Sequence, residues 1–257
     1  MDTQKTFAMK FRTLTILAVT ATLTVGSCTK RPIQPQFSVI TADTLIDGNG
    51  FTCKIEYRFA SIGNAQASPA LAAIEQANIG RFFELENFEG TPREAIEAAV
   101  RQAVNDMMPP ENTPEISEHR LWEGEISAES EGSVVDTLLC YIITRSSYTG
   151  GAHGIYGTEC YTYSLAGGYE ITTADLFTEA QLERLNELIR KDIYEQYEAK
   201  NDDELSEKGF FPEYIRATEN FRVTPEGITF YYNPYDIGCY ALGAVEVEVS
   251  REELAEL

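Results

Sequence analysis

The spacing of apolar residues changes period several times along the chain, and each change predicts an element. Phe37 to Ile46 and Cys53 to Phe59 alternate with period two, so both read as strands around the turn-forming run Asp47-Gly-Asn-Gly50. That run lacks the flanking acids a calcium loop requires and is read as a hairpin turn. Beyond Ser68-Pro69, which has the form of a helix N-cap followed by proline at N1, Leu71, Ile74, Asn78 and Phe82 fall at helical spacing. Thr91-Pro-Arg-Glu94 is a capping box. Ile96, Ala99, Val100, Ala103, Val104 and Met107 then trace one face of a second helix until Pro109-Pro110 stops it. Such stripes are core packing.

From Glu118 the period returns to two. His119–Ala128 and Ser133–Thr144 are expected as strands separated by a Glu129-Ser-Glu-Gly132 turn, with Ile155–Ser164 returning across Gly150-Gly151. Thr178-x-x-Gln181 caps a helix whose stripe is Leu182, Leu185, Ile189 and Ile193, and the acid-rich stretch 200–208 reads as a solvated loop or frayed helix end. Phe221-Arg-Val and Ile228–Tyr232 flank the turn Pro225-Glu226-Gly227. Val245, Val247 and Val249 alternate with glutamates in a strand with one wet face, and Ser250-x-x-Glu253 caps a short last helix. Hairpin runs separated by single helices predict an α+β fold with antiparallel sheets, in two sub-domains over 37–132 and 133–257.

Residues 1–27 have a different character. Lys5, Lys10 and Arg12 precede an apolar run from Leu14 to Val25, which as a helix spans about 18 Å against a hydrocarbon core of about 30 Å. This is the form of a secretory signal. It ends in Val25-Gly26-Ser27-Cys28, which resembles the lipobox of bacterial lipoproteins. The resemblance implies cleavage before Cys28, lipid on its sulfur and attachment to the bacterial membrane, with 28–36 as a proline-containing tether. Ordinary signal cleavage near Ser27 is the other reading.

Composition narrows the partners. The 257 residues are 43% apolar and 24% charged, ordinary for a folded protein, but 41 Asp and Glu against 20 Lys and Arg give a net charge of −21. Losing residues 1–27 would remove three basic groups and one acidic group, taking −21 to −23. A surface of that sign repels phosphate backbones, which excludes nucleic acid as a partner. Four cysteines remain besides Cys28: Cys53, Cys140, Cys160 and Cys239. In an exported chain they either form one or two disulfides or act as buried small apolar residues. Cys140 and Cys160, symmetric about Gly150-Gly151, are the pair that spacing favours. With no CxxC and only His119 and His153, no metal site is expected, and no cofactor motif is present.

No nucleophile elbow, P-loop or HExxH motif occurs either. The unusual stretch is Ser147-Tyr-Thr-Gly-Gly-Ala-His-Gly154. Its glycines permit positive φ, and Tyr148, His153 and Tyr156 put rings at one loop. Thirteen of the 14 tyrosines fall between Tyr141 and Tyr240, which concentrates rigid amphipathic side chains in this half. Tyr148, Gly150, Gly151, His153 and Tyr156 are therefore the candidate ligand-binding residues. The competing reading is a structural hairpin in which His153 bonds a backbone group.

Tyr148-Thr-Gly-Gly-Ala-His153, Ile171-Thr-Thr-Ala-Asp-Leu-Phe177 and Phe230-Tyr-Tyr-Asn-Pro-Tyr-Asp236 with Tyr240-Ala-Leu-Gly243 occur in an order that carries a resemblance. Together, and with Ile74-Glu-Gln-Ala-Asn-Ile79, they resemble the extracytoplasmic module shared by the anti-sigma-V factor ectodomain and the amino-terminal region of the peptidoglycan deacetylase PdaC. The resemblance spans about residues 40–250. The sigma-binding segment and membrane helix of the first relative and the catalytic domain of the second have no counterpart here. The resemblance thus implies a non-enzymatic binding half displayed on a lipid anchor. In the anti-sigma relatives that half recognises lysozyme, a basic muramidase, and an acidic surface suits such a partner. A wall-derived ligand is a further option. The alternative function is an envelope hydrolase that acts on peptidoglycan through carboxylates and His153.

Overall fold

The computed structural model describes residues 31–48, 51–107 and 122–257; the signal segment, Cys28, the Asn49-Gly50 turn and His119 lie outside them. The fold is α+β in two sub-domains. The first is a five-stranded sheet in the order β1 (Phe37–Gly48), β2 (Phe51–Ile62), β3 (Trp122–Val135), β4 (Leu138–Tyr148), β5 (Ile155–Ser164). Its core joins Ile55, Tyr57 and Phe59 of β2 to the apolar faces of α1 (Pro69–Phe82) and α2 (Pro92–Met107). The second sub-domain is a three-stranded sheet of β6 (Phe221–Val223), β7 (Gly227–Tyr232) and β8 (Val245–Ser250). It buries Leu185, Ile189 and Ile193 of a long helix, α4 (Glu179–Gln196), which follows the single turn α3 (Thr173–Leu176).

The helices begin where side chains can satisfy otherwise unpaired backbone N–H groups. Ser68 accepts from the Leu71 N–H at 3.1 Å, and Pro69 occupies a position whose N–H would be unpaired in any case. Thr91 and Glu94 exchange bonds at the start of α2, as do Thr178 and Gln181 for α4. Ser250 and Glu253 do the same for α6 (Arg251–Ala255). The acid-rich stretch is a helix as well, α5 (Asp202–Glu207). Its cap is Asn201, which accepts from the Glu204 N–H, and its anchor is the fully buried Leu205.

The other departures from expectation share a cause in long-range packing. β2 and β3 are parallel, from Phe51 opposite Trp122 to Arg58 opposite Glu129, because α1 and α2 form a crossover between them. All other strand pairs among the described residues are antiparallel. β3 runs straight through the expected Glu129–Gly132 turn and reverses instead at Asp136, a left-handed residue at φ 55°. The ring of Phe37 fills the space that a Cβ at Gly132 would need, so this glycine serves close packing rather than chain reversal. Accordingly 132/133 is not the sub-domain boundary: the first core continues to Leu165 and the second begins beyond it.

The register of the next hairpin corrects the cysteine pairing. β4 and β5 pair with Cys140 opposite Thr162 and Cys160 opposite Ile142, so the two sulfurs are diagonal rather than facing. Both are free thiols. Cys140 donates to the Val223 carbonyl at 3.4 Å, and burial pushes both thiols up from the ordinary cysteine range, which keeps them protonated and weakly nucleophilic.

Glu75 is the buried charge of α1, 8% exposed, accepting from Ser61 Oγ at 2.6 Å and from the Ile62 N–H at 2.8 Å. Burial raises its carboxyl above the usual range, partly offset by those two donors. The folded state therefore favours the protonated form. The stability it adds is complete below the ordinary glutamate pKa and is lost as pH rises through the raised native value. The stability of the wild type relative to Glu75→Gln is accordingly expected to decline from pH 4 upward. Urea denaturation of both proteins across a pH series measures this, and a flat difference would contradict it.

Candidate functional site

The loop between β4 and β5 stands at one end of the five-stranded sheet. The chain enters β1 at the other end, where Phe37 pairs with Ile62 and packs over Gly132. The 11 residues of β4 separate the two ends by about 35 Å at the usual strand rise. Gly150 and Gly151 turn the loop at φ 92° and 106°; nothing lies near the position of a Cβ on Gly151, so backbone conformation is what calls for glycine there. Tyr148 reaches back across the turn and donates to the Gly151 carbonyl at 3.2 Å.

The second sub-domain supplies the wall of the site. Tyr240 donates to the Gly154 carbonyl at 2.8 Å and stacks on His153, with ring centroids 3.9 Å apart and planes 23° from parallel. Tyr156 meets Tyr240 edge to face at 6.0 Å, and Tyr235 lies 5.8 Å from it. Tyr235 sits at φ 79° directly after Pro234. Proline followed by a residue of positive φ is the pattern of a type II turn, where glycine or asparagine is usual. Asp236 closes that turn by accepting from the Asn233 N–H at 2.7 Å. The result is a ring cluster largely open to solvent: Tyr148 is 41% exposed, Tyr156 40%, Tyr235 60%, and the neighbouring Ile155 72%.

Two asparagine side chains hold the sub-domains in register beside this cluster. Asn233 accepts from the Thr158 N–H at 2.7 Å and donates to its carbonyl at 3.0 Å. Asn220 accepts from the Cys160 N–H at 2.7 Å and donates to the carbonyls of Thr158 and Tyr231 at 2.8 and 3.1 Å. The free edge of β5 is thus satisfied by amide side chains where another strand would otherwise pair. The five candidates read from sequence all belong to this one loop and its margin. Tyr235, Tyr240, Asn220 and Asn233 were not among them. The signal for Tyr235, Tyr240 and Asn233 was the run Phe230–Gly243, whose Asn-Pro-Tyr-Asp core is itself a turn motif; Asn220 lies outside it.

His153 commits Nδ1 to the Gly154 carbonyl at 2.9 Å and one ring face to Tyr240. Among the described residues no group of three or more His, Cys, Asp or Glu is arranged to hold a metal ion. Nor is any helix among them long and apolar enough to cross a membrane.

Comparison with known proteins adds a partial family match and a fold. Residues 174–252, nearly the whole second sub-domain, match the model of a family described as a protein of unknown function, DUF3298. The crystal structure of a DUF3298 family member from Bacteroides fragilis is similar with a TM-score of 0.75, at 24% identity over 89% of this chain and 95% of that one. A DUF3298 family protein from Pseudomonas aeruginosa is similar with a TM-score of 0.59, at 15% identity over 87% of this chain and 94% of that one. These likenesses establish the fold across both sub-domains. No curated protein matches the chain.

Proposed function

We propose that this protein is a non-enzymatic binding module of the cell envelope, anchored by lipid on Cys28, whose ring-walled loop engages a basic muramidase of the lysozyme type. The observation that carries this reading is the cluster of Tyr156 and Tyr235 around the half-buried Tyr240, beside the exposed Tyr148, assembled from both sub-domains at the end of the sheet away from the tether. A tether of nine residues reaches at most about 30 Å, so a site on the far end stands clear of the surface to which Cys28 is attached. Rigid amphipathic rings suit a protein interface, and the charge of −21 suits a basic partner through long-range steering. The order of motifs shared with the anti-sigma-V ectodomain and with PdaC supports the same reading.

Calorimetry with the chain from residue 29 onward and hen lysozyme tests it. Tyr148→Ala is expected to cost about 2 kcal/mol, roughly thirtyfold in affinity, chiefly through a faster off-rate. Neutralising glutamates remote from the loop should instead slow association, most strongly at low salt. Binding that disappears at 0.3 M salt and ignores Tyr148→Ala would reduce the interaction to nonspecific charge attraction and end the reading. The anchor has its own check: a palmitate analogue should label the wild type in cells and leave Cys28→Ala unlabelled.

A further inference from the structure

A shallow groove runs along the outer face of β3 and β4, lined by Ser127, Glu129, Glu131, Ile142, Thr144 and Ser146. It is continuous with the ring cluster. Ser146 lies opposite Tyr156 on β5, and Tyr148 lies opposite Glu125 on β3. The β3 wall carries the exposed carboxylates Glu123, Glu125, Glu129 and Glu131 on one face, since alternate residues of a strand point the same way. The β4 wall carries hydroxyls. Two cations of the protein itself answer two of the four acids. Arg58 Nε lies 3.1 Å from Glu129, and Arg222 Nη1 lies 3.0 Å from Glu131.

We infer that this groove is the second half of the ligand interface and takes a cationic segment of the partner, one bearing arginine or lysine side chains, with an incoming cation replacing Arg58 at Glu129. The inference rests on the reading of a basic protein partner and extends it from the loop to the sheet. Charge complementarity and continuity with the ring cluster identify the occupant. The two intramolecular pairs differ in the way exchange requires. The Arg58 and Glu129 side chains are 57% and 63% exposed, so their pair is screened and weak, whereas Arg222 is only 29% exposed and is anchored in the seam between the sub-domains. Arg58 is thus an internal competitor for the site, and Arg222 is a fixture of it. Hydroxyls of Ser127, Thr144 and Ser146 supply acceptors for the remaining N–H groups of a guanidinium.

This assignment predicts a gain of affinity on removing a basic residue. Hexa-arginine titrated into the 15N-labelled protein should move the amide resonances of Ser127, Thr144 and Ser146. Arg58→Ala should tighten its binding at least threefold more than Arg93→Ala does. Arg93 makes the matched control: the same change of net charge, on α2, with a side chain 91% exposed. Glu129→Gln should weaken binding at least threefold. Equal effects of Arg58→Ala and Arg93→Ala, or resonance shifts spread evenly over the acidic surface, would overturn the assignment. Failure of lysozyme to bind while hexa-arginine fills the groove would end the muramidase reading and leave the groove standing.

Discussion

Gly168→Ala is expected to destabilise the protein by about 3 kcal/mol or more, for two reasons that can be measured apart. Gly168 closes the turn after β5 at φ 73°, donating to the Ser164 carbonyl at 2.7 Å. A side chain in that conformation costs about 1–2 kcal/mol wherever it occurs. The second reason is contact. A Cβ there would lie 2.7 Å from Ala70 Cα and 2.8 Å from the Ala70 carbonyl oxygen, both backbone atoms of the first turn of α1. That turn cannot easily withdraw, because Ser68 caps it and Leu71 and Ile74 fix it in the core. Gly151→Ala isolates the first reason: it has a comparably unusual φ of 106° with open space around the added methyl group. Urea denaturation of the two variants should show Gly168→Ala clearly the worse. Equal losses would mean that α1 yields to the methyl group.

That contact between residues almost a hundred positions apart illustrates what the chain does and does not reveal by itself. Helix starts were legible because each is settled within four residues: Ser68-Pro69, Thr91 with Glu94, Thr178 with Gln181, and Ser250 with Glu253 all cap as their spacing predicts. Hairpins with local turns were legible for the same reason, including Phe221–Val223 with Gly227–Tyr232. Gly132 misled, because a glycine among polar residues has the composition of a turn, and the reason it stays in a strand is Phe37, far off in sequence. Independently of that turn, β4 and β5 pair about Gly151 rather than about Gly150, so Cys140 faces Thr162 and not Cys160. α5 was hidden in an acidic stretch whose single apolar residue, Leu205, proves to be fully buried. The candidate site divides in the same way. Its loop was visible in the Tyr148–Tyr156 segment, whereas its wall depends on how two sub-domains meet.

Asn220→Ala should disrupt that meeting, costing about 2–4 kcal/mol and weakening the cooperation between the two cores. One side chain serves three backbone groups: the Cys160 N–H, the Thr158 carbonyl and the Tyr231 carbonyl. Truncation takes this partner from the Cys160 N–H and the Tyr231 carbonyl in a half-buried seam, at about 1 kcal/mol or more for each, while the Thr158 carbonyl keeps its bond from Asn233. Asn233 supports only the neighbouring rung at Thr158, so it cannot take over the Cys160 N–H. The effect should appear in the form of the transition as well as in its midpoint. Hydrogen exchange of the β2 and β4 amides reports the first sub-domain, while far-UV circular dichroism reports both. In the wild type the two signals are expected to coincide through urea unfolding, and in Asn220→Ala to separate. Coincident transitions in the variant, shifted together by less than about 1 kcal/mol, would show that Arg222–Glu131 and the contact of Cys140 with Val223 hold the seam without the asparagine. Separation would mean that the ring cluster at Tyr240 is held to its loop by an amide bonded farther along β5, at Thr158 and Cys160, and that any ligand touching both Tyr148 and Tyr235 stabilises the protein by bridging the same seam.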